Sequence, residues 1–493
     1  MLLGIDIGTS SCKTTLFDTS RGVVVGGSRR PLRFLSPSPE RAEIDAEELW
    51  QNVLAVLREL TSKCPEASIR VRAIGVSVFF PTLLPLGANG RPLRPALLYN
   101  DRRSQAEVDE FKACFGHEAL SALTGNQLTP GTSVLPGILW LRRHEPEIVA
   151  RTRCFAQLGA YITQRLTGQC RLEPTHSSLS ALCAGGDEMQ WSPAILSAAG
   201  LSAEQLPELA ESLSIAGGLL GAVAADCGLP AGVPVICANG DAPLAALGAG
   251  LCRPGQVFVS VGSTDCLMYG GARPSGNPLF CNVRHVLPGQ WLAIGTMSSA
   301  GAAVKWWCED AMGGCVDDMC QCAAAAPAGS RGVVFMPYLQ GERTPHWDAA
   351  AKGCFFGLDA SCGRAEMTRA VLEGVACGWR QILGLLEKEY GFLPDTLLCA
   401  GGGSRNALWN RIKASVLRRP LTVLRYNEMS SLGACIAAGL GSGVFRDGDE
   451  AMAATAELRI GEVVEPVAEW SVALDQSYAT YCDLYPALRH LWR

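Results

Sequence analysis

Gly4-Ile5-Asp6-Ile7-Gly8-Thr9-Ser10-Ser11-Cys12-Lys13 sets apolar residues on alternate positions around one acid and then switches to glycine and hydroxyl residues. With Leu3 before it and Thr14, Thr15, Leu16 and Phe17 after it, the stretch predicts strand, tight turn, strand. A turn of Gly, Thr and Ser presents backbone N–H groups and hydroxyls, a chemistry suited to phosphate oxygens. Asp6, at the end of the first strand, is placed to hold a divalent cation against such phosphates. Taken alone, the same residues also read as a plain β-hairpin.

The pattern recurs about 250 residues later, which predicts two related halves. Gln256 to Asp265 form an apolar run that ends in Gly262, Ser263 and Thr264, and Cys266-Leu267-Met268-Tyr269 is the return strand. Between the two hairpins the sequence predicts a strand at Val23-Val24-Val25 and a Pro/Arg/Ser loop over 30–42. A helix capped by Asp45 follows, with Glu48 completing the box, then a strand over 71–78. Residues 104–229 read as mostly helical, and a buried strand over 233–238 ends at Asn239-Gly240-Asp241. The second half predicts strand 332–336, helix 364–387, strand 396–400 and helix 404–416. Strands and helices alternate throughout, so the fold class is α/β, divided near 249–254 into halves 1–250 and 251–493.

Composition narrows the function. The 493 residues are too many for one core, and 48% hydrophobic with 18% charged residues describes a well-buried globular chain. The net charge is −5 and the basic residues are scattered, which argues against nucleic acid as a partner. Asp6 interrupts any apolar leader, and Pro288, Gly289, Gln290 and Ser298 break the uncharged stretch 286–304, so no signal peptide and no membrane span are expected. Twenty-one cysteines lie dispersed in apolar runs, as core thiols do in a reducing cytoplasmic setting. Cys308, Cys315, Cys320 and Cys322 lack a paired C-x₂-C spacing and are not expected to bind zinc.

Ala400-Gly401-Gly402-Gly403-Ser404-Arg405-Asn406 is a third candidate phosphate or nucleotide turn, since it follows a strand and opens a helix. The plainer reading is a glycine-rich turn with Ser404 as helix cap. Asn406 replaces the last glycine of a dinucleotide fingerprint, and no Gly-Lys dipeptide exists for a Walker A loop, so a bound nucleotide triphosphate needs a split site. Asp241 is the candidate base, because it follows a buried strand where the ligand crevice of an α/β sheet lies. It also reads as a helix cap ahead of Pro243. Asn100 and Asp101, between Tyr99 and Arg102, are candidates for polyol hydroxyls or a simple turn. The six histidines form no recognised catalytic or metal spacing, and hydrolase and zinc-enzyme readings fall away.

Together these stretches resemble the FGGY family of carbohydrate kinases, and within it the xylulokinase-like branch, nearly end to end. Residues 4–13 resemble its first phosphate motif and 259–265 its second. Ala300-Gly301-Ala302-Ala303-Val304-Lys305-Trp306 resembles an ADP-contacting helix start, and 401–406 the adenosine motif. Leu97-Leu98-Tyr99-Asn100-Asp101-Arg102 resembles the W-N-D-x-R sugar stretch with Tyr99 for Trp, and Gly240-Asp241 the position of the base. The resemblance implies two actin-like (ribonuclease H-like) domains flanking a catalytic cleft, sugar-binding over 1–250 and nucleotide-binding over 251–493. It implies ATP and Mg²⁺, a small sugar or polyol acceptor, and possible homodimers. Asp241 would be the base and Asp6 the metal partner. Gly8, Thr9, Ser10, Lys13, Gly262, Ser263, Thr264, Gly301, Lys305, Gly402, Gly403 and Asn406 would contact nucleotide.

One departure bears on substrate. Where xylulokinases carry Gln-Met-His-Gly, this chain reads Ser77-Val78-Phe79-Phe80, and Phe at 79 in place of His removes a hydrogen-bonding group from the expected sugar contact. The 173–180 segment, Glu-Pro-Thr-His-Ser-Ser-Leu-Ser, departs as well. The expected activity is therefore ATP-dependent phosphorylation of D-xylulose, a related pentulose or a polyol. Gluconate, ribulose or a tetritol as substrate, a non-catalytic sugar or nucleotide sensor, and a nicotinamide oxidoreductase are the alternatives.

Overall fold

The computed structural model describes residues 1–38, 40–186 and 189–492. Its contacts divide the chain into two compact units. The first takes Met1–Cys252, Gly271–Leu292 and Glu428–Leu458; the second takes Arg253–Gly270, Ala293–Asn427 and Arg459–Arg493. The first continuous stretch thus ends near the expected boundary, while two later segments return to it.

In the first unit Leu2–Ile7 and Ser11–Asp18 form the expected antiparallel hairpin, with Asp6 opposite Lys13. Every residue of Leu2–Ile7 is buried, because the strand is central: Ala73–Val78 runs parallel on its other side, with Asp6 beside Ser77 and Ile7 beside Val78. The order across the sheet is Ile215–Gly218, Pro234–Ile236, Ala73–Val78, Leu2–Ile7, Ser11–Asp18, Val23–Pro31, and Asn239–Gly240 also pairs with Ala73–Val78. In the second unit the order is Gly461–Val464, Leu421–Leu424, Leu397–Ala400, Val257–Ser260, Asp265–Gly271, Trp291–Met297. Reading both from the outer strand, each sheet runs antiparallel, parallel, parallel and then antiparallel at its hairpin. The repeat expected from the two turns is therefore present in the strand topology.

Helix Ala46–Lys63 starts at Asp45, whose carboxylate accepts the N–H groups of Glu47 and Glu48, and buries Leu49, Val53, Val56, Leu57 and Leu60 on the sheet. The other face is covered by Met429–Gly441, which arrives from far along the chain. Its approach is possible because the facing positions are glycines. A Cβ on Gly4 would come within 2.3 Å of the Ser431 carbonyl, and one on Gly75 within 1.9 Å of the Ala434 carbonyl. Reciprocally, a Cβ on Gly433 would come within 1.9 Å of the Leu244 carbonyl, and one on Gly248 within 2.1 Å of the Met429 carbonyl, where helix Asp241–Ala249 crosses.

Several local expectations are corrected. The loop over 30–42, of which Pro39 lies outside the described residues, contains strands Leu35–Ser38 and Arg41–Ile44, and Val23–Pro31 extends into it. Ser404 does not cap the following helix: Gly402–Arg405 is a short 3₁₀ turn, and Asn406 caps Ala407–Leu417 by accepting the Trp409 N–H at 2.9 Å. Asp241 is the first residue of its helix rather than its cap, which is Gly240. Among the described residues no helix is long and apolar enough to cross a membrane, and none of the 21 cysteines is in a disulfide.

Candidate active site

Three parallel strands of the first unit bring the acidic residues together. Asp6 is in register with Ser77, and Ser77 with Asn239, at the carboxyl ends of adjacent strands; Asp241 follows two residues on. Ser77 donates its hydroxyl to Asp6 Oδ1 at 2.7 Å, and Lys13 Nζ stands 4.0 Å from Oδ2 while also pairing with Glu428. Burial raises the Asp6 carboxyl above its ordinary value, with Lys13 opposing. Burial and then the Asp6 charge raise Asp241 to about 7, although its side chain keeps partial access to solvent. A carboxylate poised near neutrality suits general-base work.

Behind Asp241 lies a buried polar chain. Glu173 accepts the Thr175 hydroxyl at 2.6 Å, His176 Nδ1 at 2.7 Å and the Ser212 hydroxyl at 3.0 Å. Thr175 in turn accepts the Gly240 N–H at 2.7 Å, one residue before Asp241. The Phe80 ring packs against His176 at 5.5 Å between centroids, and a Cβ on Gly240 would come within 2.6 Å of that ring. The 173–180 segment, marked in the sequence as a departure, thus supports the residue before the candidate base.

The expected sugar contacts divide. Ser77 belongs to the acidic cluster. Val78 and Phe79 do not reach it: both are buried in the apolar core, Phe79 with Phe34 at 5.8 Å and Tyr99 at 6.5 Å. The aromatic packed against Gly240, the residue before the candidate base, is Phe80, which sequence reasoning passed over because adjacent aromatics carry no mark of which one turns which way. Asn100 is exposed. Asp101 is buried and binds inward, accepting Ala42 N–H and a two-pronged Arg103, which also reaches Glu43. Asp101 therefore holds its loop in place.

The second unit assembles the nucleotide candidates. Ser260 and Ala400 are neighbours on parallel strands, so the 262–264 and 401–403 turns leave the sheet side by side. Gly401, at φ +120°, has no room for a Cβ, which would meet the Val261 carbonyl at 2.3 Å. The third motif closes on the first: Gly301 N–H donates to the Gly262 carbonyl at 3.1 Å, and the N–H groups of Ala300 and Ala302 both donate to the Ser263 carbonyl at 3.0 Å. Glu342, from the 341–346 loop, accepts the Ser298 N–H at 2.7 Å and so steadies the same segment. Gly262, Ser263, Thr264, Gly301, Gly402, Gly403 and Asn406 therefore lie on three joined backbone segments. Lys305 is exposed four residues further along its helix and lies 3.7 Å from Glu309. Gly8, Thr9 and Ser10 form the accessible turn of the first unit.

Asp6 and Asp241 offer carboxylate oxygens of the kind a hard divalent cation takes, and the Asp6 charge acts on Asp241, but among the described residues no group of three or more metal-ligating side chains is gathered there.

A raised carboxyl in one α/β unit, and three joined backbone turns in another of the same strand order, match what phosphoryl transfer to an alcohol requires. Family models for the N-terminal and C-terminal domains of the FGGY family of carbohydrate kinases match residues 1–248 and 257–442, and the chain belongs to that family. It is an ATP-dependent sugar kinase. The xylulose kinase of Escherichia coli K12 is 32% identical over 422 residues, covering 84% of each chain. The crystal structure of a xyloylose kinase from Brucella ovis superposes with a TM-score of 0.92 at 31% identity, covering 99% of each chain. That of a xylulose kinase from Rhodospirillum rubrum gives 0.90 at 29%, covering 100% of this chain and 99% of the other.

Proposed function

We propose that this kinase phosphorylates D-xylulose or a closely related pentulose, with Asp241 as the base. The observation that carries the base assignment is the alignment of Asp6, Ser77 and Asn239 across three strands, with the Asp241 carboxyl raised to about 7 just beyond them. As the acceptor oxygen bonds to the γ-phosphorus, the bond from that phosphorus to the β–γ bridging oxygen breaks and ADP leaves, while the acceptor's proton passes to a carboxylate oxygen of Asp241. Gly8, Thr9, Ser10 and Lys13 would position phosphate oxygens from the first unit. Gly262, Ser263, Thr264, Gly301, Lys305, Gly402, Gly403 and Asn406 would bind nucleotide from the second. Asp6 would hold Mg²⁺, which supplies positive charge to the polyphosphate. The names of the similar proteins support xylulose as acceptor. Against them stands Phe80, an apolar ring packed on Gly240 just before the base, which favours a second reading in which the acceptor is another ketose, a tetritol or gluconate. A cytoplasmic setting and a homodimer belong to the same proposal, the first supported by 21 thiols without a disulfide.

The test is coupled ADP release over pentuloses, hexuloses, tetritols, glycerol and gluconate, with Asp241→Asn as control. Preference for D-xylulose supports the first reading, and preference for another acceptor the second. Background ADP release with retained ligand binding would make the protein a sensor. Light scattering on the same preparation reads the dimer.

A further inference from the structure

Beneath the nucleotide turns lies a charge that the proposed transfer does not employ. Lys413, on Ala407–Leu417, is fully buried, and its ammonium has no hydrogen-bond partner among the described residues. Its Nζ stands 3.6 Å from the ring centroid of Trp409 and 4.7 Å from that of Trp379. A buried ammonium without hydrogen bonds is costly, and the two indole faces compensate only part of that cost.

Both indoles lead to a turn. Trp379 Nε1 donates to Asp265 Oδ2 at 2.8 Å, and Asp265 Oδ1 accepts the Gly262 N–H at 2.9 Å. Trp409 donates to the Leu372 carbonyl at 3.2 Å, and its ring fills the space beside Gly403, where a Cβ would come within 2.9 Å of it. Asp265 is itself fully buried, so an uncompensated carboxylate would stand directly under a turn meant for a polyphosphate. Lys413 supplies the opposite charge.

We propose that Lys413 is a positioning residue for nucleotide binding: it neutralises Asp265 and, through Trp379 and Trp409, holds the 262–264 and 401–403 turns in one arrangement. This rests on the nucleotide reading of those turns. Burial lowers Lys413 to about 8, with Asp265 opposing, and burial raises Asp265 to about 6, with Lys413 opposing. The other titratable groups facing Lys413 are Cys399 and Cys320, both pushed up to about 11 by burial and therefore neutral. Both members of the pair are charged between about pH 6 and 8, and above that the compensation is lost.

The test is calorimetric binding of ADP and, separately, of the sugar found in the ADP-release screen. At pH 7.5 Lys413→Met weakens ADP by about fivefold or more and leaves sugar affinity unchanged. Adding Asp265→Asn to that variant recovers most of the loss, because the orphaned charge is gone. Wild-type ADP affinity falls above about pH 8, and the fall is absent in Lys413→Met. ADP affinity within twofold of wild type, or equal losses for ADP and sugar, overturns the proposal. Wild-type protein that binds no ADP refutes the nucleotide reading instead. Should Lys413→Met not fold, Trp379→Phe keeps an aromatic face and removes the donor to Asp265. The same ADP loss is expected there, and affinity within twofold of wild type overturns the proposal.

Discussion

Asp241 carries two opposite consequences of one raised carboxyl. As a base it must be ionised, so kcat/KM for the acceptor falls as pH drops below about 7. As a folded-state group whose value is raised from 3.8, it binds a proton between about pH 4 and 7 that the unfolded chain does not. Stability therefore falls as pH rises through that window. Asp241→Asn is expected to cost at least ~10²-fold in ADP release, to leave ADP binding intact, and to raise Tm at pH 8 above wild type. Near-normal turnover in that variant would remove Asp241 from the mechanism. Phe79→His gives a second residue-level test. Because Phe79 lies in the core with Phe34 and Tyr99, the imidazole is buried and the variant loses about 2 kcal/mol or more in urea titration. Its ranking of sugars stays that of wild type; a gain in D-xylulose turnover would show that position 79 reaches the substrate after all. The placement of Asp6 and Asp241 at strand ends was legible from sequence, because the apolar runs before them read as buried strands. Lys413 was not, since a lysine on a helix reads as a solvated face until the indoles around it are placed.

At the scale of elements, glycine means opposite things in two places. Gly75→Ala forces a Cβ to 1.9 Å from the Ala434 carbonyl, a backbone atom that cannot step aside. The expected loss is about 3 kcal/mol or more by denaturant midpoint. Gly384, exposed within Arg364–Tyr390, has nothing within 4 Å, so Gly384→Ala is expected to stabilise by about 0.5–1 kcal/mol. If the two variants behave alike, the close approach of Met429–Gly441 is wrong. The long helix, the Asp45 cap and the central strands were legible because burial imposes a period on them. The strands within 30–42 were not, because Leu35–Ser38 and Arg41–Ile44 are four-residue strands of a separate three-stranded sheet with Ala96–Leu97, too short to carry an alternation. The Ser404 cap failed for a local reason: the extra 3₁₀ turn moves the helix cap to Asn406, whose amide oxygen does the same work two residues later.

For the whole molecule, the two matching sheets were foreshadowed by one repeated turn, yet the assignment of chain to units was not readable, since nothing in 428–458 names the sheet it covers. Residues 1–252 alone lack the helix that seals Gly4 and Gly75, and are expected to unfold without a cooperative transition, whereas the same fragment tethered to 428–458 regains one by circular dichroism. The consequence reaches into biosynthesis. At ~5–20 residues per second, roughly 20–80 s separate emergence of Leu2–Ile7 from that of the helix that covers it. Throughout that interval a glycine-lined apolar sheet face stands open, and it needs shelter from chaperones or from its own nascent neighbours.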